Sequence, residues 1–252
     1  MFKKVALIFT ITTGLVLLSV NNGFAQAKKP VTKTKPAVKR TAAAKPVAVK
    51  PVAVIAKDNA VRVKITTDSG VLIVKLYDST PLHRDNFVKL VKEHFYDSLL
   101  FHRVIPGFMI QGGDPLSKNA VAGAMLGNGG GDMERIPAEF RPGLIHKKGV
   151  LAAARDGNPQ KASSACQFYI VEGKVSSDAE LNNLEMGKGI KYTAAQRDLY
   201  KTVGGTPFLD QDYTVFGEVE SGLEVIHKIA NVRADGANRP MGDIHMFIEI
   251  VK

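Results

Sequence analysis

The 252-residue chain is 45% hydrophobic and has a single cysteine, so one large or two small domains must rest on an apolar core, and an intrachain disulfide framework is excluded. Its net charge of +10 invites a nucleic-acid reading, but residues 1–58 hold 11 Lys and Arg against one Asp, and the remaining residues balance at 23 of each sign. The basicity belongs to the first part of the chain, and the part able to fold carries no net positive charge to attract nucleic acid.

Residues 1–27 have the three-part form of a secretory signal peptide. Met1 to Lys4 is basic, Val5 to Val20 is uncharged and apolar, and Gly23-Phe24-Ala25-Gln26-Ala27 ends in small residues. A retained membrane anchor is the competing reading, but the apolar core of 16 residues falls short of the roughly 20 needed to span. Cleavage after Ala25 and after Ala27 fit equally well, and lipidation is not expected because Cys166 is the only cysteine. The expected destination is the periplasm or cell envelope of a bacterium.

Residues 28–60 form a basic linker rich in Lys, Pro and Ala. Prolines at 30, 36, 46 and 51, without aromatic residues or periodicity over 28–57, predict a disordered, polyproline-like tether with a reach of about 90 Å at about 3.1 Å per residue. A solvated spacer is the plain reading. The sharper one is weak contact with an anionic envelope surface, which salt would screen.

Beyond the linker, Arg62 to Tyr77 alternates apolar and polar residues around Asp68-Ser69-Gly70, which predicts a hairpin with Val63, Ile65, Val71, Ile73 and Leu76 toward a core. Thr80-Pro81 offers an N-cap and a first helical proline; the helix has Phe87, Leu90 and Val91 on its apolar face and ends at Tyr96-Asp97-Ser98. Ser221 and Glu224 read as a capping box for a helix through Ala230, with Leu223, Ile226 and Ile229 on one stripe. Ile244 to Ile250 alternates as a final strand. Two helices and many short strands between Gly-rich turns predict a closed β-barrel with helices over its ends, a sandwich being nearly as compatible.

The most informative run is Phe101 to Pro115, FHRVIPGFMIQGGDP. Phe101 to Ile105 reads as a strand, Pro106-Gly107 as a turn, and Phe108 to Gln111 as a second strand broken by Gly112-Gly113. Arg103 would therefore stand on a rigid strand among apolar residues. The run, with His102, Arg103, Pro106, Gly107, Phe108, Met109, Gln111 and Gly112-Gly113 in order, closely resembles the signature of the cyclophilins, which are peptidyl-prolyl cis/trans isomerases. The resemblance covers residues 61–252 and implies an eight-stranded antiparallel cyclophilin-like β-barrel capped by two helices.

Lys174 to Thr206 departs from the compact family pattern as a long insertion. Ser177 with Glu180, and Thr193 with Gln196, are potential capping boxes, and glycines at 187, 204 and 205 are placed as stops. Two short helices beside the site loop are expected, either as a surface elaboration or as a rim that selects substrates.

Rotation about the peptide C–N bond faces about 18–20 kcal/mol because the nitrogen lone pair is delocalised into the carbonyl. No bond is made or broken, so the chemistry calls for no metal, nucleophile or cofactor; a catalyst must bind the twisted form better than the planar ones. By resemblance, Arg103 is the catalytic residue, its guanidinium donating to the prolyl nitrogen as the lone pair localises. The resemblance also gives Phe108, Met109, Tyr169 and Leu209 as a cup for the proline ring. Gln111 would hold the substrate carbonyl or orient Arg103, and Ala154, Arg155 and Gln167 would line the backbone groove.

Departures from the commonest pattern are Tyr169 for phenylalanine, Phe208 for the tryptophan of the drug-binding loop, Tyr213 for a histidine, Arg155 for asparagine and Cys166 for serine. They imply weak cyclosporin binding, and the Tyr169 hydroxyl needs a partner. Cys166 reads as a buried, inert thiol, His102 as a support of its strand, and Gly127 to Gly131 as a flexible rim loop, since it lacks the Lys-Ser/Thr of a phosphate loop. The expected partners are proline-containing polypeptides, bound by a monomer. A noncatalytic proline-peptide chaperone or scaffold module is the rival reading, which the retained Arg103 and Gln111 disfavour.

Overall fold

Antiparallel hairpins and returns carry the chain around a ladder that closes on itself. The computed structural model describes residues 60–251, so the expected signal peptide, and the linker up to residue 59, lie outside the described residues. The elements are β1 (Arg62–Thr67), β2 (Gly70–Leu76), α1 (Pro81–Lys92), β3 (Leu99–Ile105), β4 (Met109–Gly112), β5 (Val150–Ala153), β6 (Phe168–Val171), α2 (Asp178–Lys188), α3 (Ala194–Thr202), β7 (Val215–Ser221), α4 (Leu223–Ala230) and β8 (His245–Val251). The strands close in the order β1-β2-β7-β5-β6-β4-β3-β8, every neighbour antiparallel. This is the expected eight-stranded barrel, and closure leaves its backbone no free edge.

The first hairpin forms where expected, with Val63, Ile65 and Leu76 buried, but Leu72 and Val74 take the core positions expected of Val71 and Ile73. Val63 pairs with Val74 and Ile65 with Leu72, and residues directly opposite in an antiparallel pair share a face. Leu72, Val74 and Leu76 are therefore fully buried, while Val71 is 44% exposed and Ile73 half-buried. The two-residue turn sets this register, and alternation within β2 alone could not.

Thr80 stands at the N-cap of α1 with Pro81 first in the helix, yet its hydroxyl donates to the Tyr77 carbonyl. The free N–H groups of Leu82 and His83 instead donate to the Glu139 carboxylate at 3.3 and 3.0 Å. Phe87, Leu90 and Val91 are buried as expected, but the helix stops at Lys92, before Tyr96, and positive φ at His94 and Ser98 turns the chain into β3. At α4 the expected capping box is absent. Ser221 is still paired in β7, opposite Ile73, and Gly222, with φ of +93°, takes the N-cap position. The buried face is Val225, Ile226, Ile229 and Ala230, whereas Leu223 is largely exposed. The apolar faces of α1 and α4 join the barrel interior in one core. Full burial of Ile226 and Ile229 contributes roughly 1.5–3 kcal/mol each.

The insertion is a lobe tied off at its base. Lys174 and Gly205 exchange both backbone hydrogen bonds, at 3.2 and 3.0 Å, and a Cβ on Gly205 would lie 2.2 Å from the His146 carbonyl oxygen, so no larger residue fits. Helices α2 and α3 each begin with a complete capping box, Ser177 with Glu180 and Thr193 with Gln196. Gly189, not Gly187, ends α2 in the left-handed conformation; Gly187 lies inside the helix, and α3 ends at Val203 just before Gly204. Leu181, Tyr192 and Tyr200 pack with Ile145 as a small core of their own.

Strands β4, β5 and β6 are covered on both faces. Ile110, Leu151, Phe168 and Ile170 point into the barrel core, and Met109, Ala152, Tyr169 and Val171 form a second apolar cluster on its outer wall with Leu209 and Val215. Behind that wall the Phe168 ring is held by Phe87, Tyr96 and Phe101 at 5.5, 5.6 and 6.2 Å, a rigid backing for Tyr169 next to it in the chain.

Candidate active site

Strand register assembles the site. Arg103 of β3 pairs with Gln111 of β4, Gln111 with Tyr169 of β6, and Tyr169 with Ala152 of β5, which sets one row of side chains across four strands. Arg103, Gln111 and Tyr169 line a cleft of about 110 Å³ together with Phe108 and Met109 from the β3–β4 hairpin, Ala154 and Arg155 after β5, and Leu209 and Tyr213 from the loop before β7. Phe208 stays outside this lining. It is 50% exposed and packs on Phe108 with ring centroids 5.6 Å apart, as a lip of two aromatic rings. Gln167 also lies outside it, in the neighbouring groove.

Arg103 is half-buried, and burial lowers its pKa from the ordinary value, the Tyr213 hydroxyl acting in the opposite sense. An arginine remains a cation under these conditions. Its Nη1 donates to Oε1 of Gln111 at 3.2 Å, Nε2 of Gln111 donates to Oε1 of Gln167 at 3.1 Å, and Nε2 of Gln167 donates to the carbonyls of Gly127 and Gly129 at 3.0 and 2.9 Å. Each amide has only one orientation that satisfies this chain. The guanidinium thus has a fixed direction, with further N–H groups that take no partner among the described residues, and lies 5.9 Å from the Phe108 ring centroid.

The same chain of amides shapes a second, larger groove of about 390 Å³, which shares Gln111, Ala154 and Arg155 with the first cleft. Its far side is the expected rim loop, Gly127 to Gly131, with Met133 and Arg135, which the sequence did not point to. The glycine loop is tied down rather than slack. Gly127 N–H donates to the Asp114 carboxylate, and a Cβ on Gly130 would lie 2.3 Å from the Cys166 sulfur, so these glycines serve close approach. Cys166 is buried, and burial pushes its thiol pKa up, as expected of an inert cysteine.

Arg155 is engaged elsewhere than in an open groove. Its Nε donates to the Asp212 carbonyl at 2.8 Å, Nη1 donates to the Asp156 carbonyl at 3.0 Å, and the guanidinium carbon lies 4.6 Å from the centroid of the Tyr213 ring. It holds the wall of the cleft as well as lining it.

The Tyr169 hydroxyl has a partner that the sequence did not disclose. It lies 2.9 Å from Nε2 of buried His146, whose Nδ1 donates to Oδ1 of Asp210 at 2.7 Å. Asp210 also accepts from the His146 backbone N–H at 2.8 Å and, through Oδ2, from Tyr192 at 2.9 Å and Tyr200 at 2.5 Å. In the neutral imidazole with its hydrogen on Nδ1, Nε2 accepts from the Tyr169 hydroxyl. Burial, with the neighbouring Tyr213 and Asp210, holds the Tyr169 hydroxyl well above its ordinary pKa. The pocket therefore meets an aromatic ring whose hydroxyl hydrogen points away. The one available signal was the need of a buried tyrosine hydroxyl for a partner, which names no residue.

His102 is buried at the register shift of β3 between Phe101 and Arg103, beside Gly127 of the glycine loop. Neither ring nitrogen makes a hydrogen bond of good geometry, although the Leu100 backbone lies close. Burial lowers its pKa to about 4, against the smaller raising effect of Asp114. It is a support of the wall and not a base.

A cation of fixed direction at the mouth of a small apolar cup, beside an open groove, is suited to an extended peptide with a proline ring. Comparison with known proteins gives the same answer. The family "Cyclophilin type peptidyl-prolyl cis-trans isomerase/CLD" matches residues 62–249. A Staphylococcus haemolyticus protein named for peptidyl-prolyl cis-trans isomerase activity is 33% identical over 189 residues, 75% of this chain and 89% of its own length. A Staphylococcus aureus protein named in the same way is 33% identical over 185 residues, 73% of this chain and 88% of its own. The crystal structure of a Cryptosporidium parvum cyclophilin-type isomerase superposes with a TM-score of 0.58 at 25% identity, covering 77% of this chain and 98% of that one. A second structure, titled as the same isomerase in the presence of the dipeptide Ala-Pro, has a TM-score of 0.55 at 24% identity, covers 76% of this chain and 99% of that one, and shows the shared fold. Barrel, signature and relatives together establish that the chain belongs to the cyclophilin-type peptidyl-prolyl cis-trans isomerases.

Proposed function

We propose that the isomerase acts at the Arg103 cleft on X-Pro bonds in exposed segments of exported polypeptides, as a monomer in the periplasm or cell envelope of a bacterium. The observation that carries the assignment of the site is the fixed guanidinium beside an apolar cup of about 110 Å³. The substrate proline ring enters between Phe108, Met109, Tyr169 and Leu209, and the flanking backbone runs along the groove at Gln111, Ala154 and Gln167. As the C–N bond twists, the prolyl nitrogen becomes a better acceptor, and Arg103 donates to it. A 10⁵-fold acceleration calls for about 7 kcal/mol of preferential stabilisation. One desolvated charge-assisted bond supplies about half, and the orientation of the flanking peptide supplies the rest.

Export rests on the signal-peptide pattern of residues 1–27 and the basic Lys/Pro/Ala-rich segment that follows. The test is refolding of a protein whose slow phase is limited by prolyl isomerisation, together with fractionation of cells that express the full chain. Acceleration of the slow phase by the wild type but not by Arg103→Ala, with the protein recovered from the envelope, is the expected outcome. No acceleration, or retention in the cytoplasm, contradicts the respective half of the proposal.

A further inference from the structure

We propose that the Lys174–Thr206 insertion braces the far wall of the prolyl cleft, with Lys188 as its principal positioning residue, and thereby sets how tightly the proline ring is held. The proposal rests on the assignment of the Arg103 cleft as the prolyl site. The wall in question is Pro207 to Tyr213, which carries Leu209 and Tyr213 into the cleft and Phe208 onto its lip. Its only regular structure is a three-residue 3-10 turn, Pro207–Leu209. A segment this short cannot hold side chains in place by its own backbone bonds, so its geometry depends on what is anchored to it.

Two anchors come from the insertion. At the last turn of α2 the Lys188 ammonium donates to the carbonyls of Phe208 and Asp210 at 2.7 and 2.5 Å and pairs with Oδ2 of Asp212 at 2.6 Å. An ammonium has three hydrogens, and here each has an acceptor on the wall. The second anchor is the buried Asp210 carboxylate, which takes two of its four hydrogen bonds from Tyr192 and Tyr200 of the insertion and the other two from His146. From the barrel side, Lys161 pairs with Oδ1 of Asp212 at 2.5 Å and Arg155 donates to the Asp212 carbonyl. The wall is thus pinned between the barrel and the insertion. Because α2 and α3 share a base at Lys174 and Gly205 and a core of Leu181, Tyr192 and Tyr200, they present the two anchors as one body.

The wall touches the proline ring in planar and twisted forms alike, so its displacement weakens binding to both. Loss of such uniform binding raises KM and leaves kcat nearly unchanged. Lys188→Met retains the aliphatic stem and removes the three bonds. On the full-length enzyme, with a prolyl tetrapeptide, it is expected to raise KM about five- to tenfold with kcat within about twofold, and Lys188→Arg to recover most of the loss. Tyr200→Phe is expected to shift KM in the same direction by about two- to threefold. Arg197→Ala is the control. It removes bonds to Asp178, Asn182 and Glu185 within the insertion and touches nothing on the wall. Urea unfolding of each variant reports stability separately. The proposal is overturned if Lys188→Met leaves KM unchanged, or if Arg197→Ala raises KM as much at equal loss of stability. Arg103→Ala, run in parallel, separates the two levels: an unchanged rate there rejects the site itself, whereas a collapsed rate with an unaffected Lys188→Met rejects only the brace.

Discussion

Gln111 and Gln167 are joined amide to amide, with Nε2 of the first donating to Oε1 of the second at 3.1 Å, and the carbonyl left to Gln111 is the one that holds Arg103. Gln167 is itself fixed by two glycine carbonyls. Substitution of Gln167 by Leu keeps the volume and frees Gln111 to rotate. A loss of about tenfold in kcat/KM is expected, equivalent to about 1.4 kcal/mol of transition-state stabilisation. A protease-coupled assay at equal concentrations of folded protein checks this, and an unchanged kcat/KM would show that Arg103 needs no such orientation.

Tyr169→Phe separates stability from turnover. The ring lines the cleft while the hydroxyl is bound to His146 behind it. Its removal leaves Nε2 of a buried histidine without its partner, at a cost of about 1–3 kcal/mol. Urea midpoints are expected to fall accordingly, with kcat/KM within about threefold of wild type. A large loss of activity at unchanged stability would mean that the hydroxyl faces the substrate.

His102 makes stability depend on pH in a defined window. Burial lowers its folded-state pKa from 6.5 to about 4, with Asp114 opposing and Arg103 and Arg239 reinforcing the effect. Between these values the unfolded chain binds a proton that the folded protein does not, so stability is fully present above pH 6.5 and is lost as the pH falls toward 4. The shift corresponds to about 3 kcal/mol. His83, whose pKa is likewise lowered by burial against Glu139, adds in the same direction. His102→Leu, measured by urea unfolding between pH 7 and 4, is expected to show a shallower loss than wild type. An equally steep loss would assign the dependence to other groups.

Glu139 does for α1 what Thr80 was expected to do. Its carboxylate accepts from two N-terminal N–H groups and contacts Nδ1 of His83 at 2.7 Å. Glu139→Ala is expected to lower stability by about 2–3 kcal/mol with kcat/KM unchanged, because it removes a cap and a buried histidine partner, and its side chain lines neither groove of the site. Denaturant unfolding and the peptide assay together decide this. A stability within about 0.5 kcal/mol of wild type would make Thr80 sufficient.

Features encoded over a few neighbouring residues were legible in the sequence. The hairpin at Asp68-Ser69-Gly70 and the boxes at Ser177 and Thr193 depend on contacts of two or three positions, and all form. The run from Phe101 to Gly113 carries its own strands and turn, but β4 starts at Met109 and not at Phe108, and this three-residue connection is what pairs Arg103 with Gln111. Ser221 and Glu224 have the same spacing as a true box but fail as one, because β7 claims Ser221 for the ladder. The face of β2 at Val71 and Ile73 was misread because it is set by pairing across the turn and by β7.

The family resemblance supplied the cup residues, but the bonding behind them was invisible for a physical reason. Tyr169, His146, Asp210, Tyr200 and Lys188 lie far apart in the chain and meet only after the barrel closes and the insertion docks. No local pattern marks a buried tyrosine–histidine–aspartate chain, and a lysine at the end of a helix usually complements the helix dipole in solvent. Sequence reading gave Arg155 a place in the groove but could not show that the wall at Asp212 and Tyr213 would engage it.

The central claim is that Arg103 stabilises the twisted peptide bond in a cup that binds proline without it. The most direct test measures cis–trans exchange and binding of one prolyl peptide by NMR, for the wild type and for Arg103→Ala. Exchange is expected to fall about 10²- to 10³-fold, about 3–4 kcal/mol, while the dissociation constant changes less than about fivefold. Exchange at the wild-type rate in Arg103→Ala would contradict the account.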